Sequence, residues 1–154
     1  MGILNITPDS FYDGGKYMNT KNAINQIEKM INNGVDIVDI GAASSRPFSK
    51  AITIEEERKR LKPILNELQK TYPNTIISVD TYRSEIAKLA IDLGATIIND
   101  IYGGDYDKEM LPFIAKNNIP YILMHMKGKP INMQENIKYE HFENEIITFF
   151  NEKK

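Results

Sequence analysis

Five short apolar runs, each handing over to a polar residue, constrain this chain more than any other feature. They cover residues 2–6, 37–40, 76–79, 96–98 and 121–124. Each is mostly apolar rather than alternating, the pattern of strands in a parallel sheet covered on both faces. Helical stripes separate them. Ala23, Ile24, Ile27, Met30 and Ile31 share one face, and Gly34 follows as a stop signal. Thr53 with Glu56 reads as a capping box opening a helix with the stripe Leu61, Ile64, Leu65, Leu68 and Tyr72. Pro73 blocks its extension. Ile86, Leu89, Ala90 and Leu93 form a third stripe before Gly94. Met110, Leu111 and Ile114 mark a fourth, and Phe142, Ile146, Phe149 and Phe150 a fifth.

The runs begin near residues 2, 37, 76, 96 and 121, at intervals of about 35, 39, 20 and 25 residues. A βα unit has that size, and strict alternation implies right-handed crossovers and a parallel sheet. A doubly wound open sheet and a (β/α)8 barrel both satisfy the pattern. No G-x-G-x-x-G follows the first run and no G-x-x-x-x-G-K-[ST] occurs, which disfavours dinucleotide-binding and P-loop versions.

Composition removes several function classes. The formal net charge is −2 with Lys and Arg scattered, so no nucleic-acid partner is expected. Without cysteine there is no disulfide framework, thiolate metal site or cysteine nucleophile. No apolar run nears the ~18 residues of a membrane span, and no basic-then-apolar leader is visible. A cytoplasmic protein without a membrane partner is the expectation.

The polar residues at or near the ends of the runs are Asn5, Asp39 with Gly41, Asp80, Asn99-Asp100 and His125. In a barrel all five ends would surround one mouth. Any one Asn or Asp after a strand is more often a turn former or helix cap, but five in succession exceed what capping requires. Asp80 at a buried strand end needs donors or a cation, and a guanidine-like ring edge supplies paired N–H groups. The Asn99 amide offers both a donor and an acceptor for a heterocycle edge. Arg46, in the small-residue loop after the second run, is a fork donor for carboxylate or phosphate or a solvated surface arginine. His125 reads as a structural histidine before a base or ligand, because no partner stands at metal-binding spacing. His141 looks incidental.

The stretches GILNITPDSFYDGG, DIGAASSRP, SVDTYRSEIA, IINDIYGG and YILMHMKGKPINMQ together closely resemble dihydropteroate synthase, a pterin-binding family. They span nearly all of residues 1–135 in the family's order. The resemblance implies a parallel (β/α) barrel of TIM type, here an incomplete one of about five βα units over residues 1–154. It implies a transferase of folate biosynthesis. That reaction condenses 6-hydroxymethyl-7,8-dihydropterin pyrophosphate with para-aminobenzoate to dihydropteroate and pyrophosphate, with magnesium accompanying the pyrophosphate.

By position the resemblance makes Asp80 and Asn5 catalytic and Asn5 the magnesium contact. Asp80, Asn99 and Met124 become the pterin pocket. Asp9, Phe11, Ser45, Arg46 and Pro47 become the aminobenzoate side and its mobile loops. The full-length family implies a homodimer. Ala42-Ala43-Ser44-Ser45 stands where the family commonly has Gly-Glu-Ser-Thr, and Ser45 keeps the hydroxyl. A whole barrel needs roughly 250 residues. The later strands, six to eight, with a lysine and an arginine that hold pterin and diphosphate, are therefore expected to be absent. A chain lacking them is expected to expose half a core and to be inactive alone. A non-catalytic pterin-binding module and a pterin-binding methyltransferase barrel are the alternatives.

Overall fold

A computed structural model of the chain describes residues 1–6, 16–43, 52–128 and 137–154. The elements alternate as read: β1 (Gly2–Asn5), α1 (Lys16–Asn32), β2 (Ile37–Gly41), α2 (Ile54–Thr71) and β3 (Ile76–Asp80). Then follow α3 (Ser84–Asp92), β4 (Ile97–Asp100), α4 (Met110–Lys116), β5 (Tyr121–Leu123) and α5 (Phe142–Glu152). The five strands form one sheet in the order β1-β2-β3-β4-β5, every pair parallel. A doubly wound sheet reverses its strand order at a switch point, and this one does not. The sheet is an arc of an incomplete (β/α) barrel.

The two faces of the arc differ. Leu4, Val38, Ile40, Ile77, Val79 and Ile98 are buried and alternate along their strands with residues of the other face. They join Ala23 and Ile27 of α1, Leu61, Ile64, Leu65 and Leu68 of α2, and Ile86, Ala87 and Ala90 of α3 in one core. On the opposite face Ile3 and Ile76 are 62% and 44% exposed, and Ile122 is also exposed. The runs are therefore fully covered only on the helix side, where burial of each large aliphatic side chain stabilises by about 1.5 to 3 kcal/mol.

Helices α1, α3 and α4 stop in the same way. Gly34, Gly94 and Asn118 take positive φ of 82°, 91° and 51°. Behind them the N–H groups of Val35, Ala95 and Ile119 donate to the carbonyls of Met30, Ala90 and Ile114, at 3.1, 2.9 and 3.1 Å. This is the left-handed cap that satisfies the last orphan carbonyls. Asn118 does the work of glycine because its short amide tolerates that backbone. At the start of α2 only half of the expected capping box forms. Thr53 accepts from the Glu56 N–H at 3.2 Å. The Glu56 carboxylate turns instead to Arg60 at 2.8 Å, a charged donor that outcompetes a backbone N–H.

A Cβ on Gly34 would meet nothing within 4 Å, so only the backbone conformation resists substitution there. Gly34→Ala is expected to lower unfolding free energy by about 1 to 2 kcal/mol, read from urea midpoints. An unchanged midpoint would mean that α1 does not end in this cap.

Candidate active site

The registers of the parallel sheet line up the polar strand ends. Asn5 pairs with Gly41, Gly41 with Asp80, and Asp80 with Asn99. Register partners project from the same face, so these four positions form one row on the face away from the helices. Gly41 is the gap in that row. A Cβ there would lie 3.3 Å from both Asn5 Oδ1 and Asp80 Oδ2. The missing side chain lets the Asn5 amide and the Asp80 carboxylate flank a common space.

One row lower stand Ile3, Asp39, Ser78 and Ile97. Asp39 and Ser78 are buried. Asn99 Nδ2 reaches across β3 and donates to Asp39 Oδ2 at 3.1 Å. The bond joins β4 to β2 over the small Ser78, where a larger side chain would obstruct it.

The carboxyl of Asp80 is pushed up to about 7, first by its burial and then by the negative groups Asp39, Asp100 and Glu57. All of these influences penalise the charged form, so the site favours a ligand that brings N–H donors or positive charge.

The strand ends are held from behind. Thr81, next to Asp80, donates through its hydroxyl to Glu57 Oε1 at 2.7 Å. Glu57 is fully buried and ion-pairs with Arg83, whose guanidinium also donates to the Ile52 carbonyl at 2.7 Å. The Asp107 carboxylate accepts from the Ser84 N–H at 2.7 Å and caps α3. Arg60 of α2 donates to the Ala42 carbonyl at 3.1 Å, and the Ile6 N–H donates to the Gly41 carbonyl at 2.7 Å. These bonds fix the exits of β1 and β2.

Besides Asp39, two strand-end polar residues stand outside the row. Asp100 is buried and accepts from the N–H groups of Tyr102 and Gly104 and from the Tyr121 hydroxyl, at 2.8, 2.9 and 2.6 Å. It ties the loop after β4 to β5; burial first, and then the bond to Asp100, push the Tyr121 phenol up. His125 packs edge-on against Phe149 of α5, with ring centroids 4.8 Å apart.

The sequence profile of the family described as "Pterin binding enzyme" matches residues 1–154. The chain belongs to the pterin-binding enzyme family. It is 45% identical over 152 residues to a folate synthesis bifunctional protein of Arabidopsis thaliana, covering 96% of this chain and 31% of that protein. To a dihydropteroate synthase of Synechocystis it is 41% identical over 150 residues, covering 97% of this chain and 52% of that enzyme. A solved dihydropteroate synthase from Clostridium difficile, obtained in the presence of pteroic acid, superposes with a TM-score of 0.88 at 36% identity. That match covers 99% of this chain and 56% of the other. The chain thus spans about half the length of these single-function relatives or less of the bifunctional one.

Of the residues singled out in the sequence of this family member, Asn5, Asp80 and Asn99 share the row. Met124 directly follows β5, two residues beyond Ile122, the register partner of Asn99. Asp9, Phe11, Ser45, Arg46 and Pro47 lie outside the described residues. Asp39 is visible in the sequence as a strand-end acid, but its bond to Asn99 is not. Its spacing of two from Gly41 was the available signal, since period two puts both on one face. Nothing in Glu55-Glu56-Glu57 tells which glutamate is buried; that depends on where Arg83 arrives.

Because its folded-state value is raised, Asp80 contributes stability that is present below about pH 4 and lost as pH rises through about 7. Asp80→Asn imitates the uncharged form. The variant's urea midpoint is expected to gain on the native one between about pH 4 and pH 7 and to level off above that. A difference that stays flat across this range would remove the desolvated, acid-crowded environment assigned to Asp80.

Proposed function

We propose that this chain carries the pterin-binding half of a dihydropteroate synthase site. The reaction joins 6-hydroxymethyl-7,8-dihydropterin pyrophosphate to para-aminobenzoate, giving dihydropteroate and pyrophosphate. The observation that carries the reading is the single row holding Asn5, Asp80 and Asn99 around the Gly41 gap. The similar Clostridium enzyme, obtained with pteroic acid, supports the same substrate class.

In this reading the pterin ring lies across the row. The bond between the pterin methylene carbon and the diphosphate oxygen breaks, and its electron pair leaves with the diphosphate. The resulting cation is conjugated with the ring. Asp80, facing the ring N–H edge in an environment that disfavours an uncompensated carboxylate, is stabilised as that positive charge grows, and stabilises it in turn. Asn99 reads the neighbouring part of the edge through its acceptor and remaining donor. The aminobenzoate nitrogen then attacks the methylene carbon and loses a proton. An aromatic amine is already nucleophilic, so it needs positioning more than activation.

Magnesium fits the residues present. Asn5 Oδ1 is a hard oxygen ligand beside the gap, and among the described residues no group of three or more His, Asp or Glu could cage a metal. Magnesium suits a site of one protein oxygen completed by phosphate oxygens and water. Bound there it would neutralise the departing diphosphate. Asp9, Phe11, Ser45, Arg46 and Pro47 are proposed for the aminobenzoate side, and Met124 for packing against the pterin, on the family resemblance. The same resemblance carries the homodimer. A cytoplasmic location rests on a sequence without cysteine, and no described helix is long and apolar enough to cross a membrane.

Calorimetric titration of the chain with a pterin, then with the pterin pyrophosphate plus Mg2+, tests this reading. Asp80→Ala is expected to weaken pterin binding about 10- to 100-fold, the effect of losing a charged hydrogen-bond partner. Asn5→Ala is expected to leave pterin affinity alone and to abolish the extra affinity contributed by the diphosphate. Pterin binding with no diphosphate increment would make this a bare pterin-binding module. No pterin binding at all would overturn the reading.

A further inference from the structure

Asp39 lies beneath the row and is hydrogen-bonded to it through Asn99. It is 3% exposed, yet among the described residues only one of its oxygens is engaged: Oδ2 accepts from Asn99, while Oδ1 meets no partner there. Its register neighbour Ser78 is fully buried, with Oγ also unpartnered among the described residues. A floor that served packing alone would be apolar or fully hydrogen-bonded, because each orphaned buried polar group costs on the order of 1 to 3 kcal/mol. Valine would satisfy the volume and the strand propensity at position 39 without that cost.

We infer that Asp39 is a positioning residue that fixes which way round the Asn99 amide faces the ligand. The chemistry is directional. Asn99 Nδ2 donates and Asp39 Oδ2 accepts, so the side of Asn99 turned to Asp39 is its NH2. One N–H is then committed across β3, and the carbonyl oxygen and the second N–H keep fixed sides toward the ligand. An unrestrained asparagine could rotate by half a turn and exchange donor for acceptor at no cost to its shape. Pinned, it discriminates between ligand edges that differ only in donor and acceptor order. The partly apolar surround strengthens this choice, since a mismatched pair leaves two buried groups unsatisfied. The role rests on the pterin-site reading and adds a determinant of specificity to it.

The consequence is selectivity between a 2-aminopteridin-4-one and a pteridine-2,4-dione. The second places an acceptor oxygen where the first has an amino donor. Both affinities would be measured by calorimetry for the native chain, Asp39→Asn and Asp39→Leu, with circular dichroism reporting the fold of each. Asp39→Asn preserves shape but can donate to Asn99 as well as accept, so the amide is released to turn. The native chain is expected to favour the amino compound, and both variants to lose at least about tenfold of that preference, mainly by improved dione binding. A merely structural role lowers both affinities together and keeps their ratio.

An unchanged ratio in Asp39→Asn, with native pterin binding intact, would overturn the positioning role and leave the pterin reading standing. Failure of the native chain to bind the amino compound would overturn both. If Asp39→Leu does not fold, the isosteric Asp39→Asn decides alone.

Discussion

The flush register between β2 and β3, which places Gly41 beside Asp80, is the constraint on which the rest of the structure depends. Strand side chains alternate, so the two faces of this arc are set together. With Val38 and Ile40 against the helices, Asp39 and Gly41 must face the other way; Val79 likewise dictates Asp80, and Ile98 dictates Asn99. A one-residue slip in any strand would push a carboxylate or amide into the aliphatic core and turn an isoleucine or valine out of it. The hydrophobic effect therefore aligns the site, although none of the site's polar groups takes part in it.

Charge is sorted between the faces in a way that suits an electropositive ligand. Behind the strand ends, Arg83 answers Glu57 and Arg60 answers Glu56, so these acids are compensated within the protein. Asp80 is pushed up first by burial and then by groups that are all acidic, Asp39 on its own face and Asp100 and Glu57 off it. A carboxylate held in that condition is unfavourable alone and favourable once donors or positive charge arrive opposite it. The two arginines stay on the structural side because α2, the segment just before it and the exits of β1 and β2 offer them carboxylate and carbonyl partners. They hold the scaffold rigid around an acceptor-rich face, which is what a site for a transient cation requires.

The apolar floor of the same face is less complete. Ile3, Ile76 and Ile122 lie at exposed places of the arc, while Asp39 and Ser78 near its centre are buried. The expectation that an open five-stranded arc leaves apolar surface uncovered is met on this face. On the helix face it is not, because α1, α2 and α3 seal the core behind β1 to β4.

The sequence alone determined the order and kind of elements, since short aliphatic runs, 3.6-period stripes and stops at Gly34 and Gly94 are local signals set by backbone geometry. It also pointed to Asn5, Asp80 and Asn99 as candidates, because each follows an apolar run at the end from which a barrel does its chemistry. Only the tertiary structure decided that these three share a row, that Asp100 turns away to hold a loop, and that His125 packs on α5. It alone chose Glu57 among three consecutive glutamates and joined Asn99 to Asp39 across an intervening strand. The physical reason is range: a strand's alternation says which residues share a face, but the partner a polar atom finds there comes from a segment tens of residues away. That pairing is fixed by register and packing, which no local pattern encodes.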